Sequence, residues 1–245
     1  MFNKSFLFIL ISIFAFSIAE AQIPDKFTNL QVLPKDISKD KLVEIMKSFT
    51  SGLGVRCNFC HEGEEGQPLS TYDFASDTIT AKLKARTMMK MTHDINSKYL
   101  SELSQFKENI IDVKCVTCHR GVAQPELLED LLYSKIKSDG LDEAIKEYNN
   151  LYQKYYGSFA YDFRDHTLVA LTEMLDEEKM FDDALAFAQI NIEKYPDSGT
   201  ANFGLAEAYE FKGDKENALE YYKKALELMP RGKDFITKKI EELSK

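Results

Sequence analysis

Two copies of one spacing constrain this chain more than anything else in it: Cys57-Asn58-Phe59-Cys60-His61 and Cys115-Val116-Thr117-Cys118-His119. Together they use all four cysteines and two of the four histidines. A C-x-x-C-H run is the attachment signal of a c-type haem. Two thiols separated by two residues reach the two vinyl groups on one edge of a porphyrin, and the next residue, histidine, is held under the ring to ligate iron. The expectation is two covalently attached haem c groups, held by Cys57 and Cys60 and by Cys115 and Cys118, with His61 and His119 on the irons. Two other uses of the spacing fit less well. A Cys-Cys-His-His zinc site does not want histidine directly after the second cysteine, and a redox disulfide of the thioredoxin kind needs a strand–helix context that neither copy has.

The N-terminus carries an address. Residues 1–4 are a short cationic lead, residues 5–18 an apolar run, and Ala19-Glu20-Ala21 fits a small-x-small cleavage site. That pattern predicts a signal peptide over residues 1–21 and a mature chain from Gln22. The run is short for a membrane span, so no span is expected after cleavage, and a retained anchor is the alternative. Export to a bacterial periplasm agrees with the haem motifs, because thioether attachment takes place outside the cytoplasm. The formal net charge of -9 argues against nucleic acid and anionic lipid as partners and for a soluble role or basic partners.

Ahead of the first motif, Ser38 reads as an N-cap, and Leu42, Ile45, Met46 and Phe49 recur at helical spacing until Gly52 and Gly54 end the helix. Met46 therefore lies on the apolar stripe of a helix that stops just before Cys57. It is ordinary core or, since a thioether is a known sixth haem ligand, an iron ligand. A polar loop over 62–77 follows. Ser76 or Asp77 is expected to cap a second helix running to about Leu100, with Met88, Met91, Ile95 and Tyr99 on one face and His93 nearly opposite.

The order of these features resembles the cytochrome c subunit of photosynthetic reaction centres and its relatives. The resemblance is carried by Leu53-Gly54 through His61, Phe74-Ala75-Ser76-Asp77, Ala85-Arg86-Thr87-Met88 with Met91, Ile95-Asn96, and Cys115 through Gly121. It implies a mostly helical fold in which a helix packed along each haem supplies the sixth ligand. By position this is Met46 for the first haem and Met88 for the second, with Met91 and His93 as competing donors. Only one dihaem unit is present, so a photosynthetic reaction centre as partner is not implied.

From Pro125 onward the pattern is purely helical and repeats every 34 residues or so. In residues 199–232, Leu205, Ala206, Tyr209, Gly213, Ala218, Tyr222, Ala225 and Pro230 fall at tetratricopeptide spacing. Residues 165–198 repeat it with Leu168, Leu171, Leu175, Ala184 and Pro196, and 125–158 form a degenerate copy with Leu131, Ala144 and Tyr148. A polar helix over 233–243 caps the array.

The expected architecture is all-α: signal peptide 1–21, dihaem cytochrome c domain 22–124, tetratricopeptide-like repeat domain 125–245. The expected function is one-electron transfer to or from a periplasmic or membrane-bound redox protein, with the repeats docking a protein or peptide ligand. No catalytic residues are expected. The alternatives are a dihaem peroxidase-like enzyme, for which no acid–base constellation is evident, and a haem-containing scaffold or assembly protein.

Overall fold

The computed structural model describes residues 23–106 and 109–245. The signal peptide expected over 1–21 lies outside the described residues. Among those residues the fold is all-α, with ten α-helices and no strand, and no helix is long and apolar enough to cross a membrane. The chain divides into two compact units. One holds the described residues up to Thr50 together with Val55–Lys114, and the other holds Ser51–Gly54 and Cys115–Lys245.

α1 (Lys39–Leu53), which belongs to the first unit up to Thr50, begins where Ser38 Oγ accepts from Lys41 N at 3.3 Å, the expected N-cap. Leu42 is the first unit's one buried hydrophobic side chain among the described residues, while Ile45, Met46 and Phe49 are half-buried. The helix closes through Gly54, whose φ of +66° suits glycine, and Val55 N donates back to Thr50 O at 3.1 Å. Gly52 does not end the helix. It sits inside it, where a side chain would meet Val116 N at 3.2 Å, so its missing Cβ serves packing.

The second long helix, α2 (Thr80–Asp94), is capped by neither Ser76 nor Asp77. Asp77 bonds to Arg86 instead, because a guanidinium offers a carboxylate two charge-assisted bonds where a helix end offers partial charge. After Asp94 the chain continues as a π-helical turn, Ile95–Leu100. The wider turn rotates later residues off the α register, and Tyr99 is 67% exposed rather than in line with Met88 and Met91.

The second unit opens with α3 (Cys115–His119), followed by three helix pairs: α4 (Leu128–Asp139) with α5 (Leu141–Tyr155), α6 (Asp165–Glu177) with α7 (Phe181–Lys194), and α8 (Gly199–Phe211) with α9 (Lys215–Leu228). α10 (Lys233–Leu243) closes the array, with Ile236 buried against Tyr222 and Ala225. The pairs are those the repeat period predicts. Small residues permit the close approach: Ala144, Ala184, Ala206 and Ala218 are fully buried, and a Cβ on Gly204 would stand 2.8 Å from Val169. Large ones fill the gaps. Tyr148, Phe187 and Tyr222 are fully buried, each contributing about 1.5–3 kcal/mol. The aromatic segment between the first two pairs divides its labour, with Phe163 in the core and Phe159 85% exposed.

Candidate haem sites

Each C-x-x-C-H run forms one tight turn. At the first, the Cys57 carbonyl accepts from Cys60 N at 3.2 Å and from His61 N at 2.9 Å. The second is the helical turn α3, continued by Arg120 N to Val116 O at 3.0 Å. All four thiols are free, with Cys118 exposed and the others half-buried. Burial pushes the Cys60 and Cys115 thiols up.

The two histidines are presented differently. After His119 the backbone turns through Arg120 (φ 51°) and Gly121 (φ 92°), which brings the Val122 carbonyl to 3.0 Å from His119 Nδ1. A carbonyl can only accept, so Nδ1 carries the proton and the Nε2 lone pair is left for a metal. His61 is packed edge-on against Phe74, with ring centroids 4.9 Å apart. Its buried Nδ1 has no hydrogen-bond partner. Burial, with help from the Lys82 ammonium, lowers its pKa to about 4 and keeps the imidazole neutral, the form that ligates.

The loop between the first motif and α2 is pinned at many points. Asp73 N donates to Glu62 O at 2.8 Å, Tyr72 Oη donates to Glu64 O at 2.8 Å, and Asp73 Oδ1 accepts from Ala75 N and Ser76 N. Its end is held by a charge cluster that the sequence did not reveal. Asp77 takes two 2.8 Å bonds from Arg86 and one of 2.9 Å from Asn29 Nδ2, and lies 3.1 Å from Lys82 Nζ. Lys82 also donates to the carbonyls of Phe74 and Ser76 at 2.9 and 2.6 Å. The Arg86 guanidinium, with Asn29 and Lys82, holds the Asp77 carboxyl well below the usual range. Asn96 does comparable work ahead of the second motif. Its amide donates to Val113 O at 2.9 Å and accepts from Val113 N at 2.8 Å, fixing the strand-like approach to Cys115.

Of the expected sixth ligands, Met46 is half-buried in α1. Met88 and Met91 share one face of α2 at 37% and 44% exposure, and His93 is exposed. His166 stays on the surface, 3.3 Å from Asp162. The residues present fit a covalently held haem. Each motif offers two free thiols and one neutral or correctly protonated imidazole, and half-exposed thioether side chains suit an apolar macrocycle. No group of three or more His, Cys, Asp or Glu able to hold a bare metal ion is found among the described residues.

A family model described as the photosynthetic reaction centre cytochrome C subunit matches residues 12–171, and a tetratricopeptide repeat model matches 199–231. The chain is 34% identical over 94 residues to cytochrome c-554 of Chloroflexus aurantiacus, covering 38% of this chain and 20% of that one. It is similar to photosynthetic reaction center cytochrome c subunits of Roseobacter denitrificans (34% over 104 residues, 41% of this chain, 26% of the relative) and Thermochromatium tepidum (29% over 102 residues, 41% and 22%). The matched segment spans about a fifth to a quarter of the length of these relatives.

Proposed function

We propose that this chain, which belongs to the photosynthetic reaction centre cytochrome C subunit family, is an exported dihaem c-type cytochrome that transfers single electrons and docks a protein partner through its helical repeats. When bound, haem supplies a one-electron iron couple. Cys57 and Cys60 would hold one group and Cys115 and Cys118 the other. His61 and His119 would ligate the irons, with Met46 as the second protein ligand of the first and Met88 of the second. With a histidine and a methionine on each iron, no position would be left open for a substrate, which favours electron transfer over peroxidase-like chemistry. A thioether, softer and weaker than a second imidazole, favours the reduced state.

The observation that carries the reading is the bond between His119 Nδ1 and the Val122 carbonyl. It selects the tautomer and ring orientation that a proximal ligand needs, with the Nε2 lone pair left for iron. The haem-bearing part is read as 22–124 and the docking part as 125–245, with a periplasmic or membrane-bound redox protein as partner. The test is intact-mass analysis of protein from a host competent in cytochrome c maturation, followed by potentiometric titration. The expected result is a chain from Gln22 with two haems and two one-electron steps. One haem or none in fully matured protein refutes the reading.

A further inference from the structure

Successive repeats place equivalent residues side by side. Glu173 and Asp176 of α6 stand one period ahead of Glu207 and Glu210 of α8, and α6 packs on α8. Four carboxylates thus gather on neighbouring helices. The one ion pair they make among the described residues is Lys239 of α10 with Glu210, at 3.0 Å, and the same Glu210 oxygen accepts from the Tyr222 phenol of α9. Asp176 is only 8% exposed, and its Oδ1 has neither solvent nor a hydrogen-bond partner. Glu173 is exposed and Glu207 half-buried, so the cluster has a solvent-facing side.

The crowding is felt in proton affinity. Burial holds Glu207 up to about 7, with Glu173, Glu210 and Asp176 adding to the effect and Lys239 opposing it. Burial and Glu173 hold Asp176 up to about 6. Carboxylates held protonated by burial and by one another, with a solvent-facing side, are complementary to a cation that reaches that side.

We propose that this face, where Glu173 and Asp176 of α6 meet Glu207 and Glu210 of α8, seats a lysine- or arginine-rich segment of the protein that the repeats dock. The inference rests on the docking reading above and gives the partner a chemistry. A bare metal ion is the poorer occupant, since no three of these groups converge closely enough to hold one. Packed helices lie about 8–10 Å apart, and same-side residues of an extended chain recur every ~7 Å. Two cationic side chains of one segment therefore reach carboxylates on both helices. Their arrival displaces the retained protons, so binding strengthens as pH rises through 6 and 7. The groups that set this dependence are Glu173 and Asp176 of α6, Glu207 and Glu210 of α8, Tyr222 of α9 and Lys239 of α10.

The experiment uses the full mature protein and a fluorescent peptide of alternating lysine and glycine. Its affinity is measured at pH 6 and pH 8, and the complex is then cross-linked with carbodiimide and mapped. The double variant E173Q/E207Q should weaken binding by about tenfold or more and flatten the pH dependence. D142N/E143Q on α5, which removes the same charge elsewhere, should leave both within about twofold. Should E173Q/E207Q fail to fold, E173Q alone and the wild-type cross-link map carry the test. Cross-links on α6 and α8 support the proposal. Cross-links confined to other helices of the repeats overturn this site and leave the docking reading standing. Cross-links only within 23–114, or equal weakening by both double variants, overturn the site and count against the docking reading as well.

Discussion

Gly121 donates its backbone N–H to the carbonyl of Gly52 at 2.9 Å, fastening the turn after the second C-x-x-C-H to the last turn of the helix before the first. The helix side of this contact needs glycine-level clearance, whereas at Gly121 it is the φ of +92° that suits glycine. A Cβ on Gly52 would press on Val116, and one on Gly54 would lie 2.0 Å from the Gly121 oxygen. The L-G and R-G pairs beside the two motifs are therefore two halves of one contact.

Gly54→Ala should cost about 3 kcal/mol or more, since a left-handed backbone angle and a backbone clash fall on the same residue. Gly66→Ala is the matched control, with φ +83° but nothing within 4 Å, and should cost about 1 kcal/mol. Thermal melts and haem-stained yield of the two variants check this. Equal losses would mean that the contact is dispensable.

Replacing Met46 or Met88 with alanine should each open one iron, giving a high-spin spectrum and carbon monoxide binding in the oxidised and reduced protein respectively. His93→Ala should do neither, in keeping with its exposed position across α2 from the methionine face. A high-spin signal from His93→Ala, with Met88→Ala still low-spin, reassigns the second ligand.

Asp77→Asn should lower the melting temperature of the first unit, because it leaves Lys82 and Arg86, both largely buried, without their carboxylate. The pH dependence has a definite sign. The folded carboxyl titrates below its unfolded value, so its contribution is present above the ordinary carboxylate range and is lost only as pH falls through the depressed folded value. In the wild type, acid unfolding of this unit should begin below pH 4. In the variant that acid-sensitive step should be smaller.

Glu207 has the opposite sign. Its pKa rises from 4.5 to about 7 on folding, so the folded state binds the proton more tightly. The resulting stability is full below pH 4.5 and is lost as pH rises through 7. Between pH 5 and pH 8 the repeats should lose on the order of 1–2 kcal/mol, allowing for partial solvent screening. Glu207→Gln should remove most of that slope, while Asp176 leaves a smaller one of the same sign. Denaturant unfolding at the two pH values measures it.

The all-α class, the helix pairs of the repeats and the helix ahead of Cys57 were legible because each rests on local periodicity and caps, and Ser38 caps α1 as read. What escaped the sequence was long-range. Asp77 looked like a helix cap because it stands just before α2, whereas its partners Lys82 and Arg86 lie inside that helix and Asn29 is 48 residues back. Gly52 looked like a helix terminator because the residue that needs its missing side chain, Val116, is many turns later. The π-helical turn at Ile95–Leu100 has no compositional mark. Asn96 stood out only through resemblance, and its two bonds to Val113 explain why an amide is needed there.

The bond from Gly121 to Gly52 also sets an order of events. It closes a long loop of sequence, and 55–114, most of the first unit, lies inside that loop. In a chain made from its N-terminus, Cys57 and Cys60 are in place before Gly121, the partner of Gly52, has been made. On the proposed function, the first motif would take up its haem while the last turn of the helix before it is still unbonded to Gly121. Ring closure over so many residues adds little entropy cost beyond that of a shorter loop. The latch can therefore come last without a large kinetic penalty, and an early, incorrect fastening has nothing to fasten to.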